Sequence, residues 1–179
     1  NELADPDALV VGQTLVLTQP TAVYSVASGD TLYEIASRFG VSVNQLWRNN
    51  PSLNGSSYIY PGQTLNISYE TPPLGTIRTN GYAYPYIDRS VLRTTLPYLT
   101  YLSIFTYGIR PDGTLIPPTG GDSELIALAK EYGTTPLMML TSLTEEGTFS
   151  NELVAGILQN EALADRVIEN TLAVLREKG

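Results

Sequence analysis

The chain has 179 residues, 18 acidic against 10 basic side chains, a formal charge of −8, and neither histidine nor cysteine. That length holds one medium domain, or a small domain plus part of a larger one; the missing residue types exclude Ser-His-Asp and Cys-His triads, disulfides and nearly all zinc or haem ligation. The acidic balance argues against a nucleic-acid surface. No apolar run reaches the roughly 18 residues of a membrane span, and Asn1 opens a polar, acidic stretch without the marks of a signal peptide.

In chain order, the first feature is an internal repeat. Leu9-Val10-Val11-Gly12-Gln13-Thr14-Leu15 matches Ile59-Tyr60-Pro61-Gly62-Gln63-Thr64-Leu65, and Leu3 aligns with Leu53. This spacing predicts tandem copies of one small module, with residues 1–18 the C-terminal remnant of the first and residues 21–69 a complete second copy. In that copy Val23 to Val26 suits a short strand and Ser28-Gly29-Asp30 a turn. Thr31 with Glu34 predicts a capping box, ahead of Leu32, Ile35, Ala36 and Phe39 at helical spacing, with Gly40 as C-cap. Ser42 with Gln45 predicts a second capping box, and Val43, Leu46 and Trp47 form that helix's apolar face. Asn49-Asn50-Pro51 stops it, and Thr64 to Ile67 closes the module as a strand. Tyr69 to Gly75, with its paired prolines, reads as a stiff linker over residues 70–75.

These residues carry a family resemblance. The run Val26 to Ala36, then Phe39-Gly40-Val41-Ser42, Leu46, Asn49-Asn50 and Pro61-Gly62-Gln63-Thr64-Leu65, closely resembles a LysM module. The resemblance implies a βααβ fold that binds N-acetylglucosamine-containing glycans, peptidoglycan or chitin, in a shallow groove. On this chain the groove would be formed by Gly29, Asp30, Thr31 and Leu32 facing Ser57, Tyr58, Ile59 and Tyr60. Asp30 and Thr31 are equally helix caps. Leu32 and Ile59 suit the core, and Trp47 is more a buried residue than a stacking platform.

From Thr76 onward strands alternate with helices. Thr76 to Tyr84 is β-rich, Arg89 to Leu96 suits a short helix, and Leu99 to Ile109 reads as a buried strand ending at the turn Arg110-Pro111-Asp112-Gly113. Asp122 or Ser123 caps a helix ending at Tyr132-Gly133, and Leu137 to Leu140 is a third strand. Ser150 or Asn151 caps the next helix, and the last runs from about Glu161 to Lys178. Continuous apolar strands between helices predict parallel β/α units covered on both faces. Three units leave an unpaired edge, and a closed eight-fold barrel needs about 250 residues. Residues 76–179 are therefore expected to begin a larger domain.

Here a second resemblance enters. Asn80-Gly81-Tyr82-Ala83-Tyr84, then Leu99 to Tyr107 with Pro111-Asp112-Gly113, is similar to the opening of a family 18 glycoside hydrolase barrel. Gly147 to Ser150, Glu161-Ala162-Leu163 and Val174 to Gly179 resemble its spore-associated peptidoglycan glycosidases. The fold class expected is thus α/β, a βααβ LysM module followed by the first three units of a (β/α)8 barrel. The resemblance implies substrate-assisted hydrolysis of β-1,4 bonds next to N-acetylglucosamine. A Glu protonates the glycosidic oxygen while the substrate's acetamido oxygen attacks. That acid is expected beyond Gly179, so no catalytic residue is assigned and the chain alone is expected to be inactive. The family's Ser-x-Gly-Gly is replaced by Leu140-Thr141-Ser142-Leu143. Tyr82 and Tyr84, on one side of a strand, and Tyr107 are the candidate barrel subsite. Asp88, Asp112, Glu145 and Glu146 follow strands but form no glycosidase pair. No cofactor or metal is implied. The expected partner is peptidoglycan or another N-acetylglucosamine polymer, at the bacterial cell wall or spore cortex. The alternatives are a non-catalytic glycan-binding or spore-coat protein with an inactive barrel, a chitinase, or a complete binding protein.

Overall fold

In the computed structural model, whose described residues are 10–11, 18–69 and 75–179, the strand-helix-helix-strand order of the repeat copy is realised. The module remnant and the Pro-rich linker of the sequence reading fall, but for a few residues, outside the described residues. The chain divides into two units, residues 1–50 with 57–75 and residues 51–56 with 76–179.

The first unit contains β1 (Pro20–Ser25), α1 (Leu32–Phe39), α2 (Val43–Asn49) and β2 (Thr64–Tyr69). The two strands pair antiparallel, Tyr24 opposite Leu65 and Ser25 opposite Thr64. The first strand starts earlier than its apolar run because Pro20 and Ala22 pair, irregularly, with Tyr69 and Ser68. A proline is tolerated at such a strand's first position. Leu32, Ile35 and Ala36 of α1, Leu46 and Trp47 of α2, and Leu65 and Ile67 of β2 are buried. Helical spacing on one side and alternation on the other thus meet in one small core.

Both helix starts carry the expected caps, with a difference. At Thr31 the box is reciprocal. At Ser42 the hydroxyl accepts from the Gln45 amide at 3.1 Å, but no return bond from Gln45 completes the box. Gly40 ends α1 in the left-handed conformation, φ 67°, which suits glycine at that position. The Asn49-Asn50 pair does more than stop α2. The buried Asn50 side chain donates to the carbonyls of Leu46 and Asn66 and accepts from the Asn66 amide, at 2.8–2.9 Å. Asn49 donates to the Ile67 carbonyl at 2.7 Å. These bonds sew the end of α2 to the closing strand.

The second unit holds β3 (Asn80–Ala83), α3 (Arg89–Thr95), β4 (Tyr101–Ile109), β5 (Leu115–Ile116), α4 (Ser123–Glu131), β6 (Thr135–Leu140), α5 (Asn151–Leu158) and α6 (Glu161–Lys178). Strands β3, β4 and β6 form a parallel sheet with β4 central: Tyr82 lies beside Ser103, and Ser103 beside Leu137. The architecture is mixed α/β. The central strand is buried along nearly its whole length, as its largely apolar run requires, with Ser103 and Thr106 the buried polar exceptions. β3 is shorter than the β-rich sequence around it, since parallel pairing begins only at Asn80 opposite Tyr101. Beyond the expected elements, a short hairpin forms: after the Arg110–Gly113 turn, Leu115 and Ile116 fold back on Ile109 and Gly108. Ile109, Ile157 and Val167 form a second cluster in which Leu115 and Leu163 join.

Candidate functional site

The turn between β1 and α1 is built on Asp30. Its backbone amide donates to the Ala27 carbonyl at 3.2 Å, and its carboxylate accepts from the Ala27 amide at 2.8 Å. The same carboxylate accepts the Tyr24 hydroxyl at 2.7 Å and lies 3.4 Å from the Arg38 guanidinium. Arg38 also donates to the Tyr24 oxygen at 2.6 Å and sits over that ring, 5.4 Å from its centroid. Only 10% of the Asp30 side chain is exposed. The Ala27 amide, then the Tyr24 hydroxyl and the Arg38 charge, hold its carboxyl below the usual range. Thr31 is committed too: its hydroxyl donates to Glu34 at 2.9 Å and accepts the Glu34 amide at 3.2 Å. Gly29 is exposed at φ +89°, a conformation side chains rarely adopt, while Leu32 turns into the core.

The loop before β2 is tied to the same turn. Val26 donates to the Gln63 carbonyl and accepts from the Gly62 amide, both at 2.8 Å, and the Gln63 side chain accepts the Tyr60 amide at 3.1 Å. Ser57 is exposed, Tyr58 and Tyr60 stand out at 81% and 70%, and Ile59 is half-buried. The eight residues expected at the groove therefore sort into two kinds. One side presents backbone held by internally satisfied side chains, and the other presents open aromatic rings. Trp47, 6% exposed, offers no platform.

In the second unit the three tyrosines of the sequence reading separate. Tyr82 on β3 is 69% exposed, and Tyr84, just past the strand's end, is half-exposed. Tyr107 is 5% exposed, and its hydroxyl donates to Asp122 at 2.8 Å. Burial, then the Asp122 bond, pushes that hydroxyl's pKa far above the ordinary tyrosine value. Tyr107 is a packing residue on the helix side of the sheet, because the register shift between Ile104 and Tyr107 breaks the strict alternation that places Tyr82. Asp122, at the start of α4, makes no cap bond. It is buried and pairs with Lys178 at 2.5 Å. The cavity beside them, about 70 Å³ and lined by Ile104, Met138 and Val174 among others, is too small for a sugar ring.

Three rings that sequence reasoning passed over gather at the carboxyl ends of the strands. Tyr84 stacks on Tyr86 (5.1 Å, 16°) and meets Phe105 edge-on at 4.9 Å, while Phe105 and Phe149 lie 6.5 Å apart. The alternation Tyr82-x-Tyr84-x-Tyr86 was the available signal. The neighbouring carboxylates are occupied. Asp88 accepts the hydroxyl and amide of Ser90, Asp112 those of Thr114, and Glu145 pairs with Arg110 at 2.5 Å. The Thr144 hydroxyl holds the Glu146 carboxyl below the usual range. Among the described residues no group of acidic side chains is arranged to hold a metal, and no helix is long and apolar enough to cross a membrane.

Comparison with known proteins places the first unit in a class. Residues 24–68 match the LysM domain model. Over 176 residues, 98% of its length, the chain is 30% identical to YdhD of Bacillus subtilis (strain 168), named as a sporulation-specific glycosylase, and covers 41% of it. It is 31% identical to the cortical fragment-lytic enzyme of Bacillus anthracis, matching 88% of this chain and 48% of that one. The crystal structure of the spore cortex-lytic enzyme SleL from Bacillus megaterium QM B1551 superposes with a TM-score of 0.60 at 29% identity, over 99% of this chain and 42% of the other. The chain thus contains a LysM domain, is homologous to these spore enzymes, and spans less than half the length of the curated relatives it matches.

Proposed function

We propose that the chain is the wall-binding and barrel-opening portion of a bacterial cell-wall glycosidase acting on spore cortex peptidoglycan. The observation that carries this reading is the LysM match at residues 24–68 on a folded βααβ unit whose turn and loop stay open to solvent. In this reading the glycan lies between Gly29–Leu32 and Ser57–Tyr60, with the acetamido group on backbone polar groups and the pyranose face on Tyr58, Ile59 and Tyr60. Residues 76–179 are the first three β/α units of a family 18-like barrel, supported by the parallel order β3-β4-β6 and the likeness to SleL. Tyr82, Tyr84, Tyr86 and Phe149 stand at the strands' carboxyl ends, where such folds bind ligand. The whole protein would hydrolyse β-1,4 bonds next to N-acetylglucosamine by substrate assistance. LysM binding would raise local substrate concentration at the wall.

One observation favours binding without catalysis for these 179 residues. Asp88, Asp112 and Glu145 are each committed to a turn, a cap or an ion pair, and Glu146 is held by Thr144.

Pull-down of the chain on purified peptidoglycan and on chitin tests the groove. Tyr58→Ala with Tyr60→Ala should cut retention about tenfold, as expected for losing two ring–sugar contacts, with a native-like circular dichroism spectrum. Unchanged retention would show the groove to be misplaced, and preference for chitin would change the substrate.

A further inference from the structure

The groove side formed by Gly29, Asp30, Thr31 and Leu32 offers a ligand almost no free side-chain chemistry. Leu32 is buried, Gly29 has no side chain, and the Thr31 hydroxyl is used in both directions by Glu34. Asp30, the one charged residue there, is nine-tenths buried, with both carboxylate oxygens engaged. Its partners come from three places: Tyr24 on β1, Ala27 in the turn, and Arg38 in the last turn of α1. Tyr24 and Arg38 also bond each other, and Phe39 meets the Tyr24 ring edge-on at 5.4 Å. The neighbouring Val26 carries the two backbone bonds that reach the opposite loop at Gly62 and Gln63. A carboxylate arranged in this way fixes where its turn sits. Oδ2 is taken up by Tyr24 and Ala27, and a sugar reaching the other oxygen would have to compete with Arg38 at 3.4 Å on a side chain that is nine-tenths buried.

We infer that Asp30 is a positioning residue of the LysM groove: through Tyr24, Ala27 and Arg38 it presets the backbone of Gly29–Leu32 for the acetamido sugar, without touching it. The inference rests on the proposed glycan-binding reading and departs from the direct contact that family resemblance implies for Asp30. It also makes the two sides unequal. Preset backbone supplies the polar contacts, and Tyr58, Ile59 and Tyr60 supply the apolar ones. Preorganisation of this kind strengthens binding by lowering the ordering cost.

The experiment uses the whole chain in four forms: wild type, Asp30→Ala, Asp30→Asn and Tyr24→Phe. Affinity for the hexamer of β-1,4-linked N-acetylglucosamine is measured by calorimetry, and amide exchange at Ala27–Thr31 by mass spectrometry or NMR. Asp30→Ala should weaken binding about tenfold, and Tyr24→Phe about threefold to fivefold, each in step with faster exchange in the turn. Asp30→Asn keeps an acceptor for Ala27 and Tyr24 and should stay within about threefold of wild type. Two results overturn the inference. One is loss of binding in Asp30→Ala while Tyr24→Phe leaves affinity and exchange unchanged, which makes Asp30 a direct sugar ligand. The other is wild-type affinity in Asp30→Ala. Should the wild type bind neither the hexamer nor purified peptidoglycan, the glycan reading itself fails; unaltered exchange in both Asp30→Ala and Tyr24→Phe would then still overturn the positioning role.

Discussion

Asp30, Asn50 and Asp122 show how little a residue's type says about its use. By sequence position each suits a cap or a stop, and Asp30 a turn and the groove as well. In the fold, Asp30 ties a turn to a strand and a helix, Asn50 sews α2 to β2, and Asp122 leaves its helix uncapped to meet Tyr107 and Lys178. For Asp30 this has a pH consequence. Its carboxyl is held low by the Ala27 amide, the Tyr24 hydroxyl and Arg38. The stabilisation is complete above the unfolded-chain value near 3.9 and is lost as pH falls through the lower folded-state value. Trp47, the chain's one tryptophan, is buried in the same unit and reports its unfolding. Urea midpoints followed by Trp47 fluorescence should fall more between about pH 6 and about pH 3 in wild type than in Asp30→Asn, which has no charge to lose there. Equal slopes in the two proteins would mean that Asp30 contributes nothing to acid sensitivity.

At the scale of elements, periodicity was readable wherever burial is one-sided or complete. Leu32, Ile35 and Ala36 mark α1, and the run from Leu102 to Ile109 marks a central strand, because each pattern has one satisfactory packing. The β5 hairpin was not readable, since two residues carry no period. What holds that region is a close backbone approach. The Ile109 amide donates to the Leu143 carbonyl at 3.1 Å, and a side-chain carbon added at Gly108 would collide with that carbonyl oxygen. Gly108→Ala should therefore destabilise the second unit by about 1–3 kcal/mol, with a lower urea midpoint and faster amide exchange at Ile109. An unchanged midpoint would show that the loop carrying Leu143 yields freely. The aromatic group Tyr84, Tyr86, Phe105 and Phe149 belongs to this scale too. Spacing connects Tyr84 with Tyr86, but Phe105 within β4 and Phe149 in a later loop join them only through the fold.

Over these 179 residues a charge of −8 gives no general attraction to an anionic wall, so the proposed binding would rest on specific sugar contacts. The engaged carboxylates also predict a catalytic outcome. Incubated with purified cortex peptidoglycan, the 179-residue chain should release no reducing ends above background. Release abolished by Glu145→Gln, which breaks the pair with Arg110, would assign chemistry to an acid regarded here as structural.

Composition left these 179 residues without histidine- or cysteine-based chemistry, and local order marked a βααβ module, whose strands and helices fall within Pro20 to Tyr69, with parallel β/α units after it. Missing side chains cannot act, and helical or strand periods record which face is buried. The tertiary structure alone decided the use of the shared residue types. It placed Tyr107 on the helix side and Tyr82 in the open, committed the Asp30 carboxylate to Tyr24, Ala27 and Arg38, and gathered rings from distant segments. Those outcomes depend on a register shift, a hydrogen-bond closure and a loop's return, none of which repeats along the chain.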